Sequence, residues 1–127
     1  LVQVTNECVE IGIQNVKPWT FLGDMGNAVH QHALKNGYSV VREIGGHGCG
    51  LEFHEDPYVS YVSLPGTEML MVPGMCFTIE PMVNMGTDEI FQDEGNGWSI
   101  YTADGKPSAQ REVQVLVTED GCDILTW

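Results

Sequence analysis

Residues 75–83 read MCFTIEPMV. Phe77, Thr78, Ile79 and Val83 are the β-branched and aromatic types that mark a strand, and two residues interrupt their run. Glu80 puts a carboxylate among apolar neighbours, where burial is costly unless the group is paired, hydrogen-bonded or bound to a metal ion. Pro81 cannot donate to a ladder, so it implies an edge, a bulge or a bend, and bulges often re-aim side chains toward a site. The plain alternative is an edge-strand glutamate that points to water, as a period of two allows.

Other segments extend the pattern. YSVV (38–41), WSIYT (98–102) and VQVLVT (113–118) read as strands, separated by PGTE, VPGM, QDEGNG, ADGKP and EDG, which are turn chemistry. Ahead of them, residues 1–16 carry apolar positions at Val4, Cys8, Ile11 and Val16 with a loosely helical spacing, and Pro18 stops that segment. A second helix is expected over roughly 22–36, with Asp24 as N-cap and Gly37 as its left-handed stop. Two helices followed by several strands predict an α+β fold, with the helices on one face of a mostly antiparallel, curved sheet. At 127 residues the chain is sized for one domain with a real core.

Charge narrows the function classes. Eighteen acids against five Lys and Arg give a net charge of −13. Such a chain repels phosphate backbones, so no nucleic-acid partner is expected, and it attracts cations. No stretch is apolar for long enough to span a membrane, and no signal peptide is expected. The cysteines (Cys8, Cys49, Cys76, Cys122) include no CxxC pair, which reads as a reduced, cytoplasmic protein rather than a disulfide framework. The opening LVQVTNECVEIGIQNV has no initiating methionine and reads as helix interior, so either processing or an upstream continuation is expected.

A second constellation lies at 45–57, GGHGCGLEFHEDP. His47 and His54 are seven apart, and the glycines around His47 suggest a close backbone approach. Glu112, just before VQVLV, poses the same question as Glu80. One histidine with two glutamates suits a divalent transition metal, and a carboxylate can bridge two ions; the spacing forms no short regular motif such as HExxH. Other residues take simpler readings. His30 and His32 cannot share a helix face and read as solvated. Met69, Met71, Met75, Met82 and Met85 read as core filler. Trp98 is either core or pocket wall, and only His47 stands near Cys49 to lower its pKa.

Taken in order, these stretches resemble the type I methionine aminopeptidases. GGHGCGLEFHEDP resembles their histidine motif, PGMCFTIEPMVNMG their glutamate motif, and GWSIYTADGKPSAQREVQVLVTEDGCDILT their C-terminal stretch; NGYSVVREIGGHG fits the strand leading into the site. The resemblance covers essentially the whole chain. It implies half to most of a pita-bread fold, with residues 1–127 as the C-terminal catalytic portion of a domain whose N-terminal half is missing.

It also implies roles. His47, Glu80 and Glu112 would be metal ligands, with Glu112 bridging two divalent ions (Co, Mn, Fe or Zn) in the complete enzyme. Glu80 and His54 would be the catalytic residues, Glu80 moving the proton and His54 holding the scissile peptide. Phe53 and Trp98 would join His54 in binding the substrate, an N-terminal methionine peptide. The expected activity is metal-dependent removal of N-terminal methionine, with the chain's own N-terminal half, as a separate chain, completing the site. The alternative is a non-catalytic pita-bread-like binding module or an inert fragment.

The sequence also departs from the pattern. The family's two aspartate ligands belong to the absent half, and Asp24, Asp56, Asp88, Asp93 and Asp104 fall in the wrong context to replace them. Arg111 and Val113 flank Glu112 where an aromatic residue and a histidine are common, and Trp19 stands where a glycine is usual.

Overall fold

The computed structural model describes residues 1–127. Helix α1 spans Val2–Gln14 and α2 spans Leu22–Lys35. Ten short strands follow: β1 Ser39–Val40, β2 Gly46–Gly48, β3 Glu55–Val59, β4 Cys76–Ile79, β5 Met82–Asn84, β6 Ile90–Gln92, β7 Ile100–Thr102, β8 Ser108–Gln110, β9 Val113–Val117 and β10 Cys122–Ile124. They form a five-stranded sheet in the order β10-β9-β4-β2-β3, a three-stranded sheet in the order β1-β5-β8, and a β6-β7 ribbon. Every strand pair is antiparallel. The α+β order and the antiparallel sheet expected from the sequence are both present.

The helices bury one face each. Thr5, Cys8, Val9 and Gly12 of α1, and Leu22, Met25, Val29 and Ala33 of α2, are buried, at the i, i+3, i+4, i+7 spacing of a helix stripe. They share one core with Phe77 and Ile79 of β4 and Val113, Val115 and Val117 of β9. Gly12 lets α1 approach the sheet, since a Cβ there would lie 2.8 Å from Ile79 Cγ2.

The cap of α2 differs from expectation. Phe21 is the N-cap residue, and Asp24 sits three positions later, where its carboxylate accepts the Phe21 N–H at 3.1 Å. That is the returning half of a capping box. The stop is as expected: Gly37 has φ +79, and Tyr38 N–H reaches the Ala33 carbonyl at 3.0 Å, the backbone closure of a Schellman motif.

Two further readings are corrected. Of the five methionines, only Met71 is fully buried; Met69 and Met85 are exposed, and Met75 and Met82 half-buried. His32 is not simply solvated: it is half-buried where α2 packs on α1, with Nε2 2.7 Å from Glu7 Oε2. His30 is also half-buried, and burial pulls its pKa down.

The segment 75–83 is two strands, not one. β4 ends at Ile79 in the five-stranded sheet, and β5 begins at Met82 in the three-stranded sheet. Glu80 and Pro81 make the corner between them, so of the three outcomes open for that proline the bend is the one found.

Candidate metal centre

Register brings the acidic residues together. β4 and β9 pair Ile79 with Val113, and one step further along this antiparallel ladder Glu80 stands opposite Glu112. β2 lies on the other side of β4, pairing Gly48 with Phe77, so His47 stands opposite Thr78. Three neighbouring strands therefore present His47, Glu80 and Glu112 at adjacent positions. One ligand atom from each lies within 4.8 Å of the others.

Gly46 makes this approach of β2 to β4 feasible. A Cβ at that position would fall 2.2 Å from the Thr78 carbonyl oxygen and 2.8 Å from the Tyr61 hydroxyl. This is the close backbone approach that the glycines around His47 suggested.

Hydrogen bonds fix the orientation of His47 and Glu80. His47 Nδ1 lies 2.9 Å from the Gly48 carbonyl and its Nε2 lies 3.3 Å from Glu80 Oε1. An Nδ1–H donated to the carbonyl leaves the Nε2 lone pair directed at the carboxylates, the tautomer a metal ligand needs. Thr78 Oγ1 accepts the His47 backbone N–H at 2.9 Å and donates to Glu80 Oε1 at 2.8 Å. Gln110 Nε2 donates to Glu80 Oε2 at 2.9 Å, and the Glu80 N–H donates to the buried Tyr61 hydroxyl at 2.7 Å.

Glu80 is only 9% exposed. Burial raises its pKa, the Thr78 hydrogen bond opposes that rise, and the facing Glu112 adds to it. Like charges directly opposite on a sheet are destabilising, and a cation between them relieves the repulsion. An imidazole nitrogen with two carboxylates is also a donor set that divalent transition metals accept. The residues present therefore fit a divalent ion.

His54 and Phe53 come from the β2–β3 loop, which folds back on the site. The His47 and His54 rings lie 4.2 Å apart, and Phe53 lies 4.6 Å from His54 and 6.0 Å from His47. Glu55 holds this loop, its carboxylate accepting the Glu52 N–H at 3.1 Å. A cavity of about 600 Å³ opens beside them, lined by His47, Glu112, Phe53, Thr78 and a pair of cysteines, Cys49 and Cys76. Trp98 is not part of this lining; it is 83% exposed on the β6–β7 turn, its backbone N–H donating to Asn96 Oδ1 at 2.9 Å. Cys49 shows no activation, since burial and the neighbouring Cys76 push its thiol up to about 11.

Residues 1–119 match the family model described as Metallopeptidase family M24. The chain belongs to that family. It is 48% identical, over 99% of its length, to methionine aminopeptidase A of Synechocystis sp., of which it spans 49%. It superposes on the crystal structure of methionine aminopeptidase from Rickettsia prowazekii with a TM-score of 0.97, at 41% identity, covering all of this chain and 51% of that one. The prolidase from Pyrococcus horikoshii shares the fold at a TM-score of 0.71, with 23% identity. This M24 chain thus has the pita-bread architecture and spans about half the length of the curated relatives it matches.

Several residues of this candidate site were not anticipated from sequence. Thr78 and Gln110 each stand two positions before a candidate ligand, Glu80 and Glu112. Along β4 that spacing puts Thr78 on the face of Glu80, a signal present in the sequence, whereas Gln110 ends β8 and reaches Glu80 from the other sheet. Tyr61 gave no such signal, because only the fold brings its hydroxyl under Glu80.

Proposed function

We propose that the chain supplies His47, Glu80 and Glu112 as metal ligands to a methionine aminopeptidase acting on N-terminal methionine peptides. The convergence of these three donors on adjacent strands carries the proposal, and the names of the relatives direct it to methionine. The relatives are about twice the length of this chain, which supports completion of the site by an N-terminal half, present as a separate chain in the expectation stated above. Four free cysteines support a reducing, cytoplasmic setting, and no helix is long and apolar enough to cross a membrane.

Two divalent ions of the Co, Mn, Fe or Zn class, when bound, would supply Lewis acidity toward a peptide carbonyl and acidify a water. The chain's residues do the rest. Glu80, buried and with a raised pKa, accepts a proton from the attacking water and returns it to the leaving amine. Thr78 and Gln110 each hold one of its oxygens, so the carboxylate needs no reorientation between the two transfers. His54, ring to ring with His47, donates a hydrogen bond to the scissile peptide as charge develops there. Phe53 forms an apolar wall beside His54. Trp98 joins the substrate pocket in this reading once the remaining half covers the exposed face.

The test combines the chain with its N-terminal half and Mn²⁺ or Co²⁺, and measures methionine released from a short peptide. Release is expected, falling by about a hundredfold or more in Glu80→Gln. A folded, metal-loaded assembly that releases none would sink the reading in favour of a non-catalytic module.

A further inference from the structure

Two of the four cysteines face each other across the sheet. Gly48 of β2 pairs with Phe77 of β4, so one step along that ladder Cys49 stands opposite Cys76, and the Cys49 N–H donates to the Cys76 carbonyl at 3.1 Å. Directly opposed residues project from the same face, and the two Sγ atoms lie 3.7 Å apart. The Gln114 amide donates to both sulfurs, at 3.0 and 3.1 Å. Both residues line the cavity, so a small reagent entering it meets the two thiols together. The remaining cysteines are placed differently: Cys8 is buried in the core, and the Cys122 thiol faces the Ile13 carbonyl.

We propose that Cys49 and Cys76 are a reversible dithiol–disulfide pair, a modification site in the wall of this cavity. The oxidant class is a small disulfide such as oxidised glutathione. One cysteine sulfur attacks the small disulfide, breaks its S–S bond and releases one small thiol, leaving a mixed disulfide. The second cysteine attacks the protein sulfur of that mixed disulfide, forming the Cys49–Cys76 bond and releasing a second small thiol. The two protons of the protein dithiol end on the two released thiols, and the small disulfide gains the two electrons the protein loses. The sulfurs must close from 3.7 Å to a bond of about 2.0 Å, a movement within reach of side-chain rotation. The crosslink would tie the end of β2, which leads into the loop carrying Phe53 and His54, to β4, which leads into Glu80.

The test equilibrates the reduced, folded chain in glutathione buffers from fully reduced to fully oxidised. Each sample is then acid-quenched, alkylated and mapped by mass spectrometry. The expected product is two hydrogens lighter than the dithiol, reverts with dithiothreitol, and gives a crosslinked peptide pair holding Cys49 and Cys76. It persists in Cys122→Ser and is missing from Cys49→Ser; the wild-type map stands whether or not a variant folds. Complete alkylation of both thiols in every buffer would overturn the proposal. So would a bond to Cys8 or Cys122, or a glutathione adduct that persists as the end product.

Discussion

The Thr78 hydroxyl and the Glu80 carboxylate are joined by a 2.8 Å hydrogen bond across two positions of one chain segment, and the same hydroxyl receives the His47 N–H from β2. One small side chain thus sets the spacing between two candidate ligands. Thr78→Val keeps the shape and deletes the hydroxyl. It strands the buried end of Glu80 and a backbone N–H, which is expected to cost about 1–3 kcal/mol in denaturant unfolding. Affinity for a divalent ion should fall about tenfold or more, as is usual when a group that orients ligands is lost. Thr78→Ser should retain most of both; equal losses in the two variants would mean that the methyl group, not the hydroxyl, is what matters.

Metal binding itself gives a second expectation. With three donors in place, titration of the chain with Mn²⁺ in a calorimeter should show one weak site, absent in Glu80→Ala. Stoichiometric binding that survives that change would place the ligands elsewhere on this acidic surface.

The pH dependence has a definite sign. The folded-state pKa of Glu80 is raised, chiefly by burial, above its unfolded value of about 4.3. Its stabilising contribution is therefore full below the unfolded value and is lost as pH rises through the folded one. In metal-free protein, Glu80→Gln should gain stability relative to wild type as pH climbs from acid toward neutral. A wild-type-minus-variant difference that stays flat with pH would show that Glu80 is not the group responsible. Asp104 runs in the opposite sense. Backbone N–H groups of Thr87 and Lys106 hold its pKa down, so its contribution is present above the unfolded value and is lost as pH falls.

Tyr61→Phe removes the hydroxyl that accepts the Glu80 N–H inside the core. Leaving that donor unpaired should cost about 1–3 kcal/mol in thermal or denaturant melts. A loss well under that range would mean that water enters to replace the hydroxyl.

Trp19 carries a backbone φ of +67 and is 64% exposed, a left-handed conformation that suits glycine. A left-handed conformation costs a non-glycine residue about 1–2 kcal/mol, whereas glycine adopts it freely and gives back part of the gain through unfolded-state entropy. Trp19→Gly is expected to raise stability by about 0.5 kcal/mol. A loss instead would show that the indole packs well enough to outweigh the strain.

The helices and the longer strands were legible because periodicity is a local property. Residues 113–117 alternate buried and half-buried, with valine at every buried position. The strands missed include short polar ones, such as Ser108–Gln110, and glycine-rich ones, such as Gly46–Gly48, which only their partners make strands. Glu80 and Glu112 stood out as carboxylates beside apolar runs. Their opposition is a matter of register between segments 32 positions apart, which neither segment encodes alone. The Cys49–Cys76 pairing was hidden for the same reason. The resemblance supplied the candidate ligands, while the groups that hold Glu80, namely Thr78, Gln110 and Tyr61, emerged from the structure.

The corner at Glu80 and Pro81 also limits how the chain can vary in length. Side chains alternate sides along a strand, so one residue inserted between Ile79 and Met82 would turn the buried side of β5 outward or carry Glu80 out of line with Glu112. The β6–β7 turn around Trp98, exposed and outside both larger sheets, carries no such restriction on folding. A library of single-residue insertions should therefore be depleted sharply at this corner and tolerated at that turn, so that indel tolerance maps the site without a substrate.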